Sequence, residues 1–139
     1  MKETIISFET AKLAKEKGFT TKGIMLMGYT SKFYNHNTKT LLSYGRTGRT
    51  DLKKAYFAPT QALLQKWLRE EHEIHIEISF YDSTISKHYE ASIVNSSERI
   101  YNNQEYLDCA AVIGINIKFK TYEEAFEKAL QESLKLIKN

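Results

Sequence analysis

The alternation of apolar and polar residues in two neighbouring segments constrains the fold of this chain more than any other feature. Residues 74–81, IHIEISFY, carry an apolar side chain at every second position, and residues 88–94, HYEASIV, repeat the alternation. Successive side chains of a strand point to opposite faces of the sheet, so each segment is predicted to be a half-buried strand. The chain must therefore bury one face of a sheet.

The six residues between these segments are predicted to close a hairpin with a defined register. If the numbers of paired residues add to 169, Ile78 faces Ala91 and Phe80 faces Tyr89. A shift of one residue would move every apolar side chain of one strand to the polar face. The alternation therefore selects this register.

Two helices are predicted before the hairpin. In the first, Ser7 is the expected N-cap and Gly18 the residue after the C-cap. In the second, Pro59 suits the first turn of TQALLQKWLREEH. That helix is expected to bury the stripe of Leu63, Leu64, Trp67 and Leu68, and to expose Gln61, Lys66, Arg69 and Glu70.

The remaining segments complete an α+β pattern. Residues 24–44 are predicted to be a hairpin, 45–58 a basic loop, 95–108 a polar loop and 110–120 another strand. Thr121 and Glu124 form a capping box at the start of a last helix. The order α-β-β-α-β-β-β-α predicts a single domain over residues 1–139, with an antiparallel β-meander and helices packed on one face.

Composition excludes several classes of protein. Cys109 is the single cysteine, so an intramolecular disulfide and a zinc site built from several thiolates are both impossible. The N-terminus has no apolar signal-peptide region, and no apolar run approaches the roughly 18 residues of a membrane span. The sequence predicts a cytoplasmic protein with no membrane partner.

Charge is distributed unevenly along the chain. Residues 1–58 carry eleven Lys and Arg against four Asp and Glu, a formal charge of +7, whereas residues 59–139 carry −4. Such asymmetry is typical of a surface that contacts a polyanion or an acidic partner. It would also arise if two faces of one domain complemented each other.

The densest basic segment is GRTGRTDLKK, residues 45–54. Its glycine spacing is not that of a P-loop, and no Lys-Ser/Thr pair follows the second glycine. Arginine could still grip anionic oxygens in a bidentate manner, and neighbouring aromatic residues could stack on a base. The residues predicted to bind an anion or acidic partner are Arg46, Arg49, Lys53, Lys54, Tyr44 and Tyr56. The alternative is a solvated basic loop.

The polar face of the predicted hairpin gathers His75, Glu77, Ser79, His88 and Glu90. These residue types could hold a divalent metal or perform acid–base chemistry. The two histidines, however, lie near opposite ends of the hairpin, roughly 20 Å apart at the rise of a strand. We therefore predict no catalytic residue, no metal site and no cofactor, and interpret this face as facing solvent.

Three segments of the chain resemble a known family. SFETAKLAKEKGF, APTQALLQKWLREEHEIHIEI and TYEEAFEKALQESLKLI are similar to segments of small uncharacterised proteins common in Bacteroidetes genomes and in their phages and prophages. The resemblance implies a bacterial or phage accessory protein of the cytoplasm. It implies no activity, cofactor or catalytic residue.

The expected function is that of a non-enzymatic accessory or binding protein. It would contact an unknown protein or a polyanion, with nucleic acid among the candidates, through its basic N-terminal half. Two alternatives stay open: a small-ligand or nucleotide-binding domain that uses Arg46 and Arg49, and a small metal-dependent hydrolase that uses the His/Glu sheet face. Exposed edge strands of the meander could also pair in a homodimer.

Replacing both Arg46 and Arg49 with alanine should leave stability nearly unchanged, because charges on a solvated loop contribute little to folding. Thermal unfolding of the double variant measures this. A fall in Tm of more than about 5 °C would show that the segment is structural instead.

Overall fold

A computed structural model describes residues 3–19, 32–43, 55–102 and 107–138 and confirms the α+β class. The helices are α1 (Phe8–Glu16), α2 (Gln61–His72) and α3 (Tyr122–Lys135). The strands are β1 (Lys32–Asn35), β2 (Leu41–Ser43), β3 (Ala55–Phe57), β4 (Ile74–Asp82), β5 (Lys87–Asn102) and β6 (Leu107–Phe119). No helix of the described part is long and apolar enough to cross a membrane.

The strands form two antiparallel sheets, ordered β2-β1-β3 and β4-β5-β6. The β4–β5 register predicted from the alternation is confirmed along its whole length, from Ile74 opposite Asn95 to Asp82 opposite Lys87. Helices α2 and α3 pack on the apolar face of the larger sheet, where Ile76, Ile93 and Leu130 are buried. The helices-on-one-face arrangement therefore also holds.

Strand β3 lies where the sequence predicts the end of the basic loop 45–58. Ala55 and Phe57 are buried and Tyr56 is half-buried between them, and β3 pairs with β1. Three residues are too short a run for the alternation to stand out from the surrounding charges. Within the hairpin predicted over 24–44, the structure describes β1 and β2, which pair with each other, while residues 24–31 and 44 lie outside the described residues.

The predicted polar loop over 95–108 is wrong, since β5 continues to Asn102 and β6 begins at Leu107. A bulge between Asn95 and Arg99 separates the two parts of the β5–β6 ladder. The Asn95 carboxamide oxygen accepts hydrogen bonds from the Ser97 amide (3.2 Å) and hydroxyl (2.6 Å), which fixes this bulge. Main-chain groups pair β5 with β6 beyond the bulge without any alternation of apolar side chains, so the sequence pattern does not reveal this part of the sheet.

The helix caps follow the predictions, with one correction. Ser7 caps α1 and Gly18 follows its C-cap with φ +94°, and Thr121 caps α3 by accepting from the Glu124 amide. Pro59, however, precedes α2 instead of lying in its first turn. Thr60 is the N-cap, with its hydroxyl accepting from the Leu63 amide, while the Pro59 carbonyl accepts from Ile6.

The prediction that Gln61 faces water is also wrong, because Gln61 is only 5% exposed. Its side-chain amide donates to the Glu127 carboxylate and to the Glu123 carbonyl, both at 3.1 Å. The other oxygen of Glu127 accepts from the Thr10 hydroxyl at 2.9 Å and from the Ser7 amide. One carboxylate on α3 therefore receives donors from α2, from α1 and from the α1 N-cap.

We expect Glu127→Ala to lower the free energy of unfolding by roughly 2–3 kcal/mol, because it leaves partly buried donors without their charged acceptor. Urea denaturation measures the change. Glu123→Ala, an exposed residue of the same helix, is the matched control and should cost less than about 1 kcal/mol. Equal losses in the two variants would contradict this role for Glu127.

Candidate functional site

Most of the predicted anion-binding residues belong to one segment that the structure does not describe. Tyr44, Arg46, Arg49, Lys53 and Lys54 all lie in residues 44–54, outside the described residues. The two ends of that segment are fixed, however. Ser43 ends β2 opposite Lys32, and Ala55 begins β3 opposite Asn35, so the two ends lie at opposite ends of β1.

Tyr56 is the one predicted site residue that the structure describes, and it lies in β3 instead of in a loop. Its ring meets Phe8 edge to face with a centroid distance of 5.4 Å, and Phe8 meets Tyr34 in the same way at 5.7 Å. These three residues, from α1, β1 and β3, are called the aromatic cluster below. Since all three residues are only half-buried, the cluster forms part of the protein surface.

Two lysines lie over the aromatic cluster. The Lys15 ammonium is 5.3 Å from the centre of the Tyr56 ring and also donates to the Ala55 carbonyl at 3.0 Å. The Lys39 ammonium is 5.3 Å from the centre of the Phe8 ring. Both distances suit a cation–π interaction. The two lysines and the aromatic cluster together are called the lysine–aromatic surface.

Local structure explains how each lysine reaches its ring. Lys15 is seven residues after Phe8, so both lie on the same face of α1. Lys39 is in the β1–β2 turn, where the Asn35 side chain accepts from the amides of Asn37 and Thr38, and its φ of 56° is left-handed. Sequence analysis missed both lysines, although the spacing of Phe8 and Lys15 in a helix was an available signal.

The ion pairs between described residues do not involve the basic N-terminal half. All of them lie between residues 66 and 135, as in Lys66–Glu70, Lys87–Asp82 and Lys128–Glu132. Lys12, Lys32 and Lys39 are exposed and take part in none of those ion pairs. Within the described residues, then, no ion pair joins the basic N-terminal half to the acidic C-terminal half.

Tyr34 anchors the aromatic cluster to the interior of the protein. Its hydroxyl donates to the Ile6 carbonyl at 2.7 Å. Partial burial raises the pKa of Tyr34 above its ordinary value, and the carboxylates of Glu127 and Glu9 raise the pKa further. The phenol therefore stays neutral and keeps donating at physiological pH.

The polar face of the β4–β5 hairpin contains a hydrogen-bonded chain around His88. One ring nitrogen lies 3.0 Å from the Ser86 hydroxyl and the other 3.0 Å from the Glu90 carboxylate. Tyr81 stacks on the ring with a centroid distance of 5.2 Å. The predicted register, in which paired residue numbers add to 169, also implies Tyr81 opposite His88 and Ser79 opposite Glu90, as observed, whereas Ser86 is not among the polar residues gathered from the sequence.

A serine, a histidine and a carboxylate in this order are the components of nucleophilic catalysis. Catalysis of acyl transfer also needs N–H donors for the developing oxyanion. The amides of Ile85 and Ser86 both donate to the Ser83 hydroxyl (3.3 and 3.1 Å) and are therefore occupied. We therefore interpret the hydrogen bonds that join Ser86, His88 and Glu90 as stabilising the end of the hairpin.

The described residues also contain no group of three or more His, Cys, Asp or Glu that could hold a metal.

A cavity of about 290 Å³ lies where the C-termini of α2 and α3 meet the β5 bulge. It is lined by His72, Ile74, Asn95, Ser97, Glu98, Leu136, Ile137 and Lys138, and so by none of the predicted site residues. Two helix C-termini favour a positive charge there. The chain supplies one itself, because the Lys17 ammonium donates to the Ile137 carbonyl at 2.9 Å.

Comparison of the chain with protein-family models, with curated proteins and with solved structures gives no match. Any function must therefore be inferred from the chain's own residues.

We expect the stability of the protein to fall as the pH rises above about 10, the ordinary pKa of tyrosine. The unfolded chain releases the Tyr34 proton first, so unfolding is favoured between that pH and the higher pKa of the folded state. Tyr34→Phe should remove this part of the pH dependence. Urea denaturation of both proteins from pH 8 to 11 tests it, and identical slopes against pH would contradict it.

Proposed function

We propose that this chain is a non-enzymatic accessory protein of bacterial or phage origin that binds a polyanionic macromolecule through its basic N-terminal half. One observation carries the proposal. Lys15 and Lys39 lie over the rings of the aromatic cluster. The segment 44–54, whose sequence has four basic residues and one acidic residue, directly precedes β3, the strand that carries Tyr56 of that cluster.

The lysine–aromatic surface suits an anionic partner for a physical reason. An ammonium placed over a ring is oriented without being neutralised, because the ring carries no net charge. The N–H groups of the exposed Lys39 ammonium can still donate to phosphate or carboxylate oxygens. Each such interaction is weak in water, so useful affinity requires several cations along an extended partner.

The ring geometry favours interactions with charged groups over base stacking. Lys15 lies over one face of Tyr56 and Lys39 over one face of Phe8, and the two rings meet edge to face. A nucleobase would have to displace a lysine in order to stack on either of these faces. We therefore propose binding that depends on charge density and is indifferent to base sequence.

The other two candidate functions receive less support. The metal-dependent hydrolase would need a metal site, and the described residues contain no group of three or more His, Cys, Asp or Glu that could form one. The small-ligand alternative used Arg46 and Arg49, which lie outside the described residues, and the cavity between the helix ends is lined by other residues. Polyanion binding uses residues that are both basic and exposed.

We expect the protein to bind a fluorescent single-stranded oligonucleotide with an affinity that falls steeply with salt. Fluorescence anisotropy over a salt series measures the affinity, and a labelled poly-glutamate peptide separates a preference for nucleic acid from one for acidic protein. Lys12 is exposed and lies one helical turn after Phe8 on α1. Changing Lys12 and Lys39 to glutamine should weaken binding at every salt concentration. The salt slope should fall by about one for each phosphate that the variant no longer neutralises.

The matched control changes Lys66 and Lys87 to glutamine. These lysines are 43% and 72% exposed and lie in the C-terminal half, so the net charge changes equally. Equal weakening by the two double variants would indicate only a general effect of net charge and would contradict the proposed surface. Absence of binding to both probes at low ionic strength would refute the function itself.

A further inference from the structure

Strand β6 has an outer edge of unusual composition. It is an edge strand of the β4-β5-β6 sheet, and no described strand pairs with its outer side. From Cys109 to Ile117 its sequence contains neither a charged residue nor a proline, in a chain that is 27% charged. Edge strands that remain free are usually protected by lysine, proline or a bulge, because they otherwise pair with other chains.

Register shifts bound the central part of the β5–β6 ladder at both ends: the β5 bulge lies opposite Ala110 and Ala111, and the other shift lies near the end of β6. The register of β6 against β5 shifts between Ile115 and Phe119, and the strand is regularly paired from Ala111 to Ile115. Along the uncharged run, Val112 is 64% exposed, Ile113 36% and Ile117 46%. Val112 lies on one face of the sheet and Ile113 on the other, so apolar surface flanks the edge on both sides.

Helix α3 contacts both edge strands of this sheet, and the opposite edge, β4, differs from β6 in two further respects. Helix α2 packs against β4, and the Gln65 side chain donates to the Ile76 carbonyl at 3.3 Å. Strand β4 also carries the exposed acidic residues Glu77 and Asp82. This edge is therefore partly covered and charged, which singles out β6 as the edge open to pairing.

A second copy of β6 fits this edge because of backbone geometry. In an antiparallel pair, residues that face each other either both direct their N–H and C=O groups to the partner or both direct them away. When two copies of the same strand pair, the numbers of two facing residues therefore add to an even number. Odd-numbered residues then face odd-numbered residues, and even-numbered residues face even-numbered ones. Ile113 and Ile115 of both copies then lie on the same face of a continuous six-stranded sheet.

Charge selects the centre of the pairing. With a two-fold axis at Ile113, the overlap from Cys109 to Ile117 contains only uncharged residues. Beyond that run, each end of the pairing brings Lys118 of one copy to the end where Asp108 of the partner subunit lies. The first charges met beyond the uncharged run are thus of opposite sign, which cross-strand pairing favours.

We propose that the outer edge of β6 is an interface between two copies of this chain, which pair antiparallel about a two-fold axis at Ile113. The interface does not depend on polyanion binding. Its experimental tests use the oligomeric state of the full chain in the absence of any ligand.

Sedimentation velocity over a range of concentrations should show a reversible dimer. Ile113→Lys should raise the dissociation constant by roughly tenfold or more, because two ammonium groups would meet at the two-fold axis in place of apolar side chains. Val112→Lys, at a more exposed position, should also weaken the dimer and guards against a folding defect at Ile113. Ile85→Lys is the matched control, since Ile85 is 94% exposed and lies in the β4–β5 turn, outside the proposed interface.

A charge swap tests the register. Lys118→Glu and Asp108→Lys should each weaken the dimer, and the double variant should restore it, with changes of about 2- to 30-fold from the two symmetric pairs. A wild-type protein that stays monomeric at every concentration, or that forms open-ended assemblies, would overturn the proposal. So would a dimer that Ile113→Lys and Val112→Lys leave unchanged, or a swap that does not restore affinity.

Discussion

The Glu127 carboxylate connects parts of the chain that the two sheets leave separate. It accepts hydrogen bonds from Gln61 on α2, from Thr10 on α1 and from the amide of the α1 N-cap, Ser7. Helix α3 already packs on the larger sheet, so these donors attach α1 to that sheet, and the smaller sheet follows because β3 contacts α1. The lysine–aromatic surface depends on this attachment, since its rings come from α1, β1 and β3.

The parts of the fold that could be predicted are those in which side-chain chemistry alone determines the structure. Alternation fixed the β4–β5 register, and the hydroxyls of Ser7 and Thr121 marked two helix starts. The predictions that were wrong, for the segment after Asn95 and for Gln61, failed for a different reason. Strand pairing beyond Asn95 is made by main-chain groups, which all residues share, and Gln61 is buried because a carboxylate 66 residues away accepts its donors. A pattern read along a short window contains neither kind of information.

The candidate site shows the same division. The charge distribution identified the basic N-terminal half, and Tyr56 was predicted as a site residue because it lies next to the basic segment 45–54. Neither observation indicated the lysines that contact the aromatic cluster. Lys39 reaches Phe8 because a turn held by Asn35 folds it back. That approach depends on how a β-turn packs against a helix, which is a tertiary relationship. The contribution of Arg46, Arg49, Lys53 and Lys54 rests on sequence alone, because residues 44–54 are outside the described residues.

The hydrogen bond between Thr10 and Glu127 also has a kinetic consequence. It joins residues 117 positions apart, whereas β4, β5 and β6 pair with strands adjacent in sequence. Closing so long a loop costs entropy before any interaction compensates for it, so the local meander can form well before the helices meet. Interactions formed after the transition state slow unfolding and leave the folding rate nearly unchanged. The Glu127 carboxylate would then determine how long the folded protein persists, more than how quickly it forms.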